Sequence, residues 1–225
     1  MVKEVELRIP TSYEDITLKK WLVLQNELKS YEDDEEATLA LLLLHLCNLP
    51  VQHLKGLGVD DYNTIKNELG AFLGNTDLPL QRFITIDGVE YGFEPNLSQM
   101  TYGAYSDITK FQQIQIDDNW AKIMSILYRP VDKKVLNKYY SIKPYSGKVD
   151  STKFLDLGMH IHFGALFFLF NLLTDLLKDT LKSTMEMELP PNIKPILQRS
   201  GHHMLQLLSL PQGTLPNSIQ LLKNH

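Results

Sequence analysis

The alternation of apolar and polar positions predicts one β-hairpin in a chain that is otherwise mainly helical. Residues 82–93 (RFITIDGVEYGF) form two alternating runs around Asp87-Gly88, a pair that tolerates the positive φ angles of a tight type I′ turn. The positions expected to share the apolar face of this hairpin are Ile84, Ile86, Val89, Tyr91 and Phe93. A shorter, imperfect alternation over residues 2–9 offers a third strand to the hairpin.

Apolar residues at helical spacing predict the remaining regular structure. Three helices are expected to begin at the capping-box spacing of residues 11–14, at the acidic run 32–36 and at Asp60-Asp61. Three more are expected over residues 101–115, 117–128 and 156–181. The stop signals for these helices are residues 48–50 (NLP), residues 74–75 (GN) and Pro130.

Two segments interrupt this pattern. Residues 129–148 contain six basic residues, one acid (Asp132) and three tyrosines, and they are predicted to form a loop. From residue 185 onwards the chain is rich in leucine and contains five of its eleven prolines. That composition predicts an extended, partly helical arm that packs against a neighbouring chain.

Together these elements predict an α+β fold that is predominantly α. About seven helices would pack on a small antiparallel β-hairpin or three-stranded sheet, followed by an extended C-terminal arm. We therefore expect a single helical core domain over residues 1–184, with the hairpin at 82–93, and a Pro/Leu-rich docking arm over residues 185–225.

Composition and charge narrow the classes of protein. The chain has 225 residues, 44% of them hydrophobic, and a formal net charge of -5. These values argue against wholesale disorder and against a dedicated duplex-binding protein, which is usually strongly basic. The longest apolar runs, residues 39–46 and 163–173, are shorter than the roughly 20 residues that span a bilayer, so no membrane span is predicted.

The candidate catalytic and metal-binding groups all have simpler structural explanations. His160 and His162 lie at a predicted helix start, where their side chains would diverge, and His45 and Cys47 diverge in the same way within an apolar helix. The acidic clusters fall where helices begin, so capping explains them. We therefore expect no catalytic residue, no metal site and no cofactor, and we expect that the protein is not an enzyme.

The remaining candidate site is a protein interface. It combines the basic, tyrosine-bearing segment with leucines of the arm: Arg129, Lys133, Lys134, Lys138, Tyr139, Tyr140, Tyr145, Leu205, Leu208 and Leu221. Two alternatives for the basic segment stay open. Its lysines and tyrosines could follow a phosphate backbone and stack on bases, or the segment could be an ordinary solvated connection.

The order of several motifs resembles a family of small proteins encoded among the virion and tail genes of tailed bacteriophages. These phages infect Bacteroidota hosts and include the crAss-like phages. The resemblance covers about residues 7–180. The motifs that carry it are residues 9–18 (IPTSYEDITL), 91–97 (YGFEPNL), 100–108 (MTYGAYSDI), 126–130 (ILYRP), 139–147 and 164–168 (GALFF).

The resemblance implies a non-enzymatic role in the virion or in its assembly. We expect a structural component of the virion, such as a tail, ring or packaged cargo protein, that acts through protein–protein contacts. The alternatives are a tail-assembly chaperone that is not retained in the particle and a nucleic-acid-binding protein of the capsid or tail lumen. The implied partners are other phage structural proteins in a homo- or hetero-oligomeric assembly. The implied locations are the virion and, during assembly, the host cytoplasm.

Overall fold

The protein combines α-helices with one antiparallel sheet. The computed structural model describes residues 7–31, 34–75, 78–110, 115–135, 139–148 and 150–186. Within them the helices are α1 (Leu18–Leu28), α2 (Glu35–Cys47), α3 (Val59–Leu73), α4 (Tyr102–Thr109), α5 (Trp120–Leu127) and α6 (Met159–Glu186). The strands are β1 (Phe83–Ile86), β2 (Val89–Phe93), β3 (Tyr128–Val135) and β4 (Tyr139–Ile142). The predicted α+β class with predominant helix is confirmed, although the sheet has four strands rather than two or three.

Helix α1 begins later than the capping-box spacing of residues 11–14 predicts. Thr17 is the residue that caps it, because its Oγ1 accepts a hydrogen bond from the Lys20 amide at 3.3 Å. Tyr13 lies outside the helix with its ring in the core, and its hydroxyl donates to the Leu73 carbonyl at 3.3 Å. The apolar stripe that the sequence predicts for α1, at Trp21, Leu24 and Leu28, is buried, and Leu18 is buried with it.

The ends of α2 follow the local sequence signals. Asp34 accepts a hydrogen bond from the Ala37 amide at 2.9 Å, and two glutamates occupy the first turn, where the helix dipole favours negative charge. Asn48 ends the helix with a φ angle of 54°, in the left-handed region that Asn tolerates better than most residues. The predicted limits of α2 are therefore confirmed.

The four strands form a meander in the order β1-β2-β3-β4. Asp87 and Gly88 connect β1 and β2 with φ angles of 51° and 76°, so the predicted type I′ turn is confirmed. Ile84, Ile86 and Phe93 face the core. Val89, which was predicted to share that face, is 46% exposed because it lies at the turn.

Residues 129–148, predicted to be a loop, are largely a β-hairpin, and that prediction is wrong. β3 follows α5 directly and pairs with β2 through Gly92↔Arg129 and Phe93↔Tyr128. Its second half pairs with β4, after a register shift between Val131 and Lys133. Both additional strands come from this segment. Of the third strand predicted over residues 2–9, residues 7–9 are not a strand, and residues 1–6 lie outside the described part of the chain.

Helix α6 packs the sheet and the N-terminal helices together. It begins at Met159, close to the predicted start at residue 156, and its buried face includes Phe163 and Leu166. The Phe163 ring lies 5.3 Å from that of Trp21, edge to face. At Gly158 a Cβ atom would come within 2.5 Å of the Glu14 carbonyl oxygen, so close backbone approach requires glycine there.

Every described element begins within the core domain predicted over residues 1–184. The last of them, α6, ends two residues beyond that limit, at Glu186. Residues 187–225, and with them nearly all of the predicted arm, lie outside the described residues. Leu205, Leu208 and Leu221 belong to this part, so their interface role stays a prediction. Lys138 is likewise outside the described residues.

Candidate protein-contact surface

One of the predicted contact residues, Arg129, is buried and stabilises the sheet. Arg129 is 7% exposed, and its guanidinium pairs with the Glu94 carboxylate, which is also nearly buried. The pairing of β2 with β3 brings the two residues together. A buried charge needs such a partner, because losing water around a single ion is costly. Arg129 is therefore a structural cation of the sheet and not a surface contact.

Two side chains that are distant in sequence, Glu90 and Phe83, hold Lys134 on the outer face of the sheet. Its Nζ lies 2.6 Å from Glu90 Oε1 and 3.8 Å from the centre of the Phe83 ring. Tyr140 completes this cluster, since its ring packs edge to face against Phe83 at 4.7 Å. The positive charge of Lys134 is thus paired within the chain.

Two of the three predicted contact tyrosines also use their hydroxyls internally. Tyr140 donates to the Phe93 carbonyl at 2.6 Å, and its ring lies directly over Gly92, where a Cβ would come within 2.8 Å of Cε2. Tyr145 donates to Asp107 Oδ2 at 2.6 Å. Burial, and to a smaller extent the hydrogen bond to Asp107, raises the pKa of Tyr145 to about 12. These hydroxyls anchor the segment after β3 to β2 and α4.

The residues that remain exposed lie on two elements, and we call them together the tyrosine surface: Tyr102 and Tyr105 on α4, and Lys133, Val135 and Tyr139 on the β3–β4 hairpin. Tyr102 on α4 is 83% exposed, Tyr139 on β4 is 65% exposed and Val135 is 67% exposed. The Tyr145–Asp107 bond holds the chain that leaves β4 against α4. Large, rigid aromatic side chains of this kind contribute strongly to protein–protein contacts.

Tyr139 and Lys133 were predicted as contact residues, whereas Tyr102 and Tyr105 were not. Both lie in α4, and their separation of three residues places them on one side of the helix. That spacing was the available signal. It was not informative by itself, because the same pattern is typical of a buried helix face.

A cleft of about 400 Å³ opens beside β4. Its lining combines aromatic side chains, two charged side chains at Arg82 and Glu94, and Pro95 and Leu80. The aromatic residues are Phe93, Tyr139, Tyr140 and Phe168. The Glu94 carboxylate is already paired with the Arg129 guanidinium, whereas Arg82 is exposed. The cleft therefore combines apolar and polar surface in similar amounts, and Arg82 is the exposed cation of its lining.

The histidines singled out in the sequence diverge as expected. His162 is fully buried, and its Nδ1 accepts a hydrogen bond from Trp120 Nε1 at 3.2 Å. Burial lowers the pKa of His162 to about 3, against a smaller opposing effect of the nearby Phe154 and Leu157 carbonyls. His162 is thus a neutral acceptor for the indole. No cluster of three or more potential metal ligands occurs among the described residues.

Cys47 and His45 do not form a nucleophile pair. His45 Nε2 lies 2.8 Å from Glu27 Oε2, on the neighbouring helix α1. Cys47 is half-buried, which is less than the full burial expected, and burial raises the pKa of its thiol to about 11. A thiol with this pKa is almost entirely protonated at neutral pH, and the thiolate is the nucleophilic form.

The arrangement as a whole suits contact with another macromolecule through aromatic and aliphatic groups. Among the described residues, no helix combines the length and the apolar character that a membrane crossing requires. The exposed groups that a partner could contact are the tyrosine surface and the cleft, which share Tyr139. Comparisons of the chain with protein-family models, with curated proteins and with solved structures found no match.

Proposed function

We propose that this protein is a non-enzymatic structural component of a tailed-phage virion that acts through protein–protein contacts. The observation that carries the proposal is the tyrosine surface on α4 and the β3–β4 hairpin, where Tyr102 and Tyr139 are 83% and 65% exposed. The motif order over residues 7–180, with its resemblance to virion and tail proteins, supports the phage setting.

The exposed tyrosines would gain free energy on contact with a partner. Aromatic side chains in water gain free energy when a partner buries them, by roughly 25 cal/mol for each Å² of apolar surface removed. Aromatic residues lose little conformational entropy on binding, since they have only two side-chain torsions. Tyr102, Tyr105 and Tyr139 would supply the apolar contact area, and Lys133 at the margin would supply charge.

Purified virions provide the direct test of this proposal. Mass spectrometry should detect the protein at a fixed ratio to the major structural proteins. A Tyr102→Ser/Tyr105→Ser variant should keep the wild-type melting temperature and be lost from particles. Val59→Ser serves as the control, because Val59 is 76% exposed on α3 and its replacement should leave incorporation unchanged.

Two results would contradict the proposal. If the protein is required for particle formation but absent from purified virions, the tail-assembly chaperone is the correct assignment. If the tyrosine variant is incorporated as efficiently as the wild type, the surface does not serve assembly.

A nucleic-acid role is less favoured because part of the basic charge is paired within the chain. Arg129 faces Glu94 and Lys134 faces Glu90, which leaves fewer cations for phosphates. Charge reversal at Lys133, Lys134 and Lys138 should leave DNA and RNA binding at background. Wild-type binding that weakens steeply with salt, and that this triple variant loses, would favour the nucleic-acid role instead.

A further inference from the structure

The cleft beside β4 has the composition of a site for a proline-rich peptide. Four aromatic side chains and Pro95 line about 400 Å³ of space, and Tyr139 leaves 65% of its surface exposed there. Aromatic-lined grooves bind polyproline II segments, because flat rings pack against the ridges of that extended helix. Prolines restrict the free peptide in advance, so little conformational entropy is lost on binding.

The chain itself contains a segment of this kind. Residues 189–195 (LPPNIKP) carry Pro190, Pro191 and Pro195, whereas the later prolines Pro211 and Pro216 are isolated from one another. Consecutive prolines favour the polyproline II conformation most strongly. We propose that the cleft of one copy binds the Pro190-Pro191 pair of a second copy of this chain.

Chain length makes the contact intermolecular. Phe168 lines the cleft and lies in α6, which continues to Glu186. From Phe168 to Glu186 the helix spans roughly 27 Å. From Glu186 to Pro191 the chain spans at most about 18 Å even when it is fully extended. The adjacent prolines Pro190 and Pro191 therefore cannot reach Phe168 of their own copy, so we assign their contact to the cleft of a neighbour.

A contact between the cleft of one copy and the arm of the next is heterologous. Such contacts close into a ring when the rotation between copies permits, and otherwise produce an open chain of copies. The inference deepens the proposed function, on which it rests for its biological setting, by naming the partner as this chain itself. The contact can nevertheless be measured in solution without any virion.

Two complementary variants of the full chain test the proposal. Tyr139→Ala damages the cleft and leaves the arm intact, and Pro190→Ala/Pro191→Ala damages the arm and leaves the cleft intact. In sedimentation experiments the wild type should show a mass that increases with concentration, and each variant alone should remain monomeric. A mixture of the two should form a heterodimer, because it contains one intact cleft and one intact arm.

Matched controls separate this contact from general loss of structure or of surface aromatics. Tyr102→Ala removes a more exposed tyrosine outside the cleft, and Pro211→Ala/Pro216→Ala removes two other arm prolines. Both controls should associate as the wild type does. All variants should share the wild-type melting temperature.

A labelled synthetic peptide of residues 187–197 gives a second measurement. It should bind the Pro190→Ala/Pro191→Ala protein, whose cleft is free, and Tyr139→Ala introduced into that protein should weaken binding about tenfold or more. The proposal is overturned if the wild type stays monomeric and no peptide binds, if the two variants fail to pair, or if the Pro211/Pro216 variant alone loses association. Detection of the protein in virions would be unaffected by those results, so the two proposals fail separately.

Discussion

Replacing His162 should remove a specific dependence of stability on pH. The His162 ring is fully buried and is neutral, as its acceptor role toward Trp120 requires. Burial lowers its pKa from 6.5 to about 3 in the folded protein. In the unfolded chain the ring regains water and titrates near 6.5, so between these two values only the unfolded state takes up the proton.

The sign and the size of the effect follow from this difference. Protonation of the unfolded chain favours unfolding, so the contribution of His162 to stability is complete above pH 6.5 and decreases as the pH falls. One pKa unit corresponds to about 1.4 kcal/mol, and the unfolded ring is already half protonated at pH 6.5. The free energy of unfolding should therefore fall by about 2 kcal/mol between pH 6.5 and 4.5 on account of this ring.

His162→Asn is the appropriate variant, because the Asn side-chain oxygen can accept from Trp120 Nε1 in place of the ring nitrogen. Urea unfolding should be followed by circular dichroism at several pH values between 7.5 and 4.5. Carboxylates titrate in both proteins, so the informative quantity is the wild-type free energy of unfolding minus that of the variant. This difference should decrease by about 2 kcal/mol from pH 6.5 to 4.5.

His53→Asn is the control, since His53 is exposed and its replacement should keep the wild-type dependence on pH. The reasoning is refuted if the wild type and His162→Asn lose stability in parallel below pH 6.5. That result would mean that the folded protein binds a proton at His162 without penalty.

Three further predictions concern the turn, the buried ion pair and the thiol. Gly88→Val should cost about 1 kcal/mol or more in thermal unfolding, because its φ angle is 76°, whereas Gly56→Val should cost less. Glu94→Ala should cost about 3 kcal/mol in urea unfolding by leaving the Arg129 guanidinium buried without a counter-charge, and a loss below 1 kcal/mol would contradict the pairing. Cys47 should react with Ellman's reagent at pH 8 about a hundredfold more slowly than free cysteine, since its pKa is about 11.

Features that depend on neighbouring residues could be predicted from the sequence alone. The β1–β2 turn depends on Asp87 and Gly88, whose backbone preferences are local. The limits of α2 depend on Asp34 and Asn48, which bond to or shape the backbone within a few residues. The divergence of His160 and His162 follows from helical periodicity, and the predominantly helical α+β class follows from the sum of such signals.

The strand conformation of residues 129–148 depends on tertiary contacts. Their basic residues and Pro130 indicated a loop, because isolated positive charges favour solvent. The partners that stabilise a hairpin there are distant in sequence: Glu94 for Arg129, Glu90 for Lys134 and the Phe93 carbonyl for Tyr140. Pairing across that distance has no local signature, and the favourable energy of strand pairing and side-chain contact outweighs the local preference.

The same reason explains which tyrosines are exposed. The sequence provides no basis to distinguish the exposed tyrosines from the anchored ones, because all are the same residue type. The exposed residues are Tyr102, Tyr105 and Tyr139, and the anchored residues are Tyr140 and Tyr145. Groups of distant elements hold Tyr140 and Tyr145 against the protein, since their hydroxyls donate to the Phe93 carbonyl and to the Asp107 carboxylate. The sequence alone therefore determined the β1–β2 turn, the limits of α2 and the fold class, because these depend on local preferences. The folded arrangement determined the β3–β4 hairpin and which of the candidate side chains remain exposed, because these depend on contacts between distant residues.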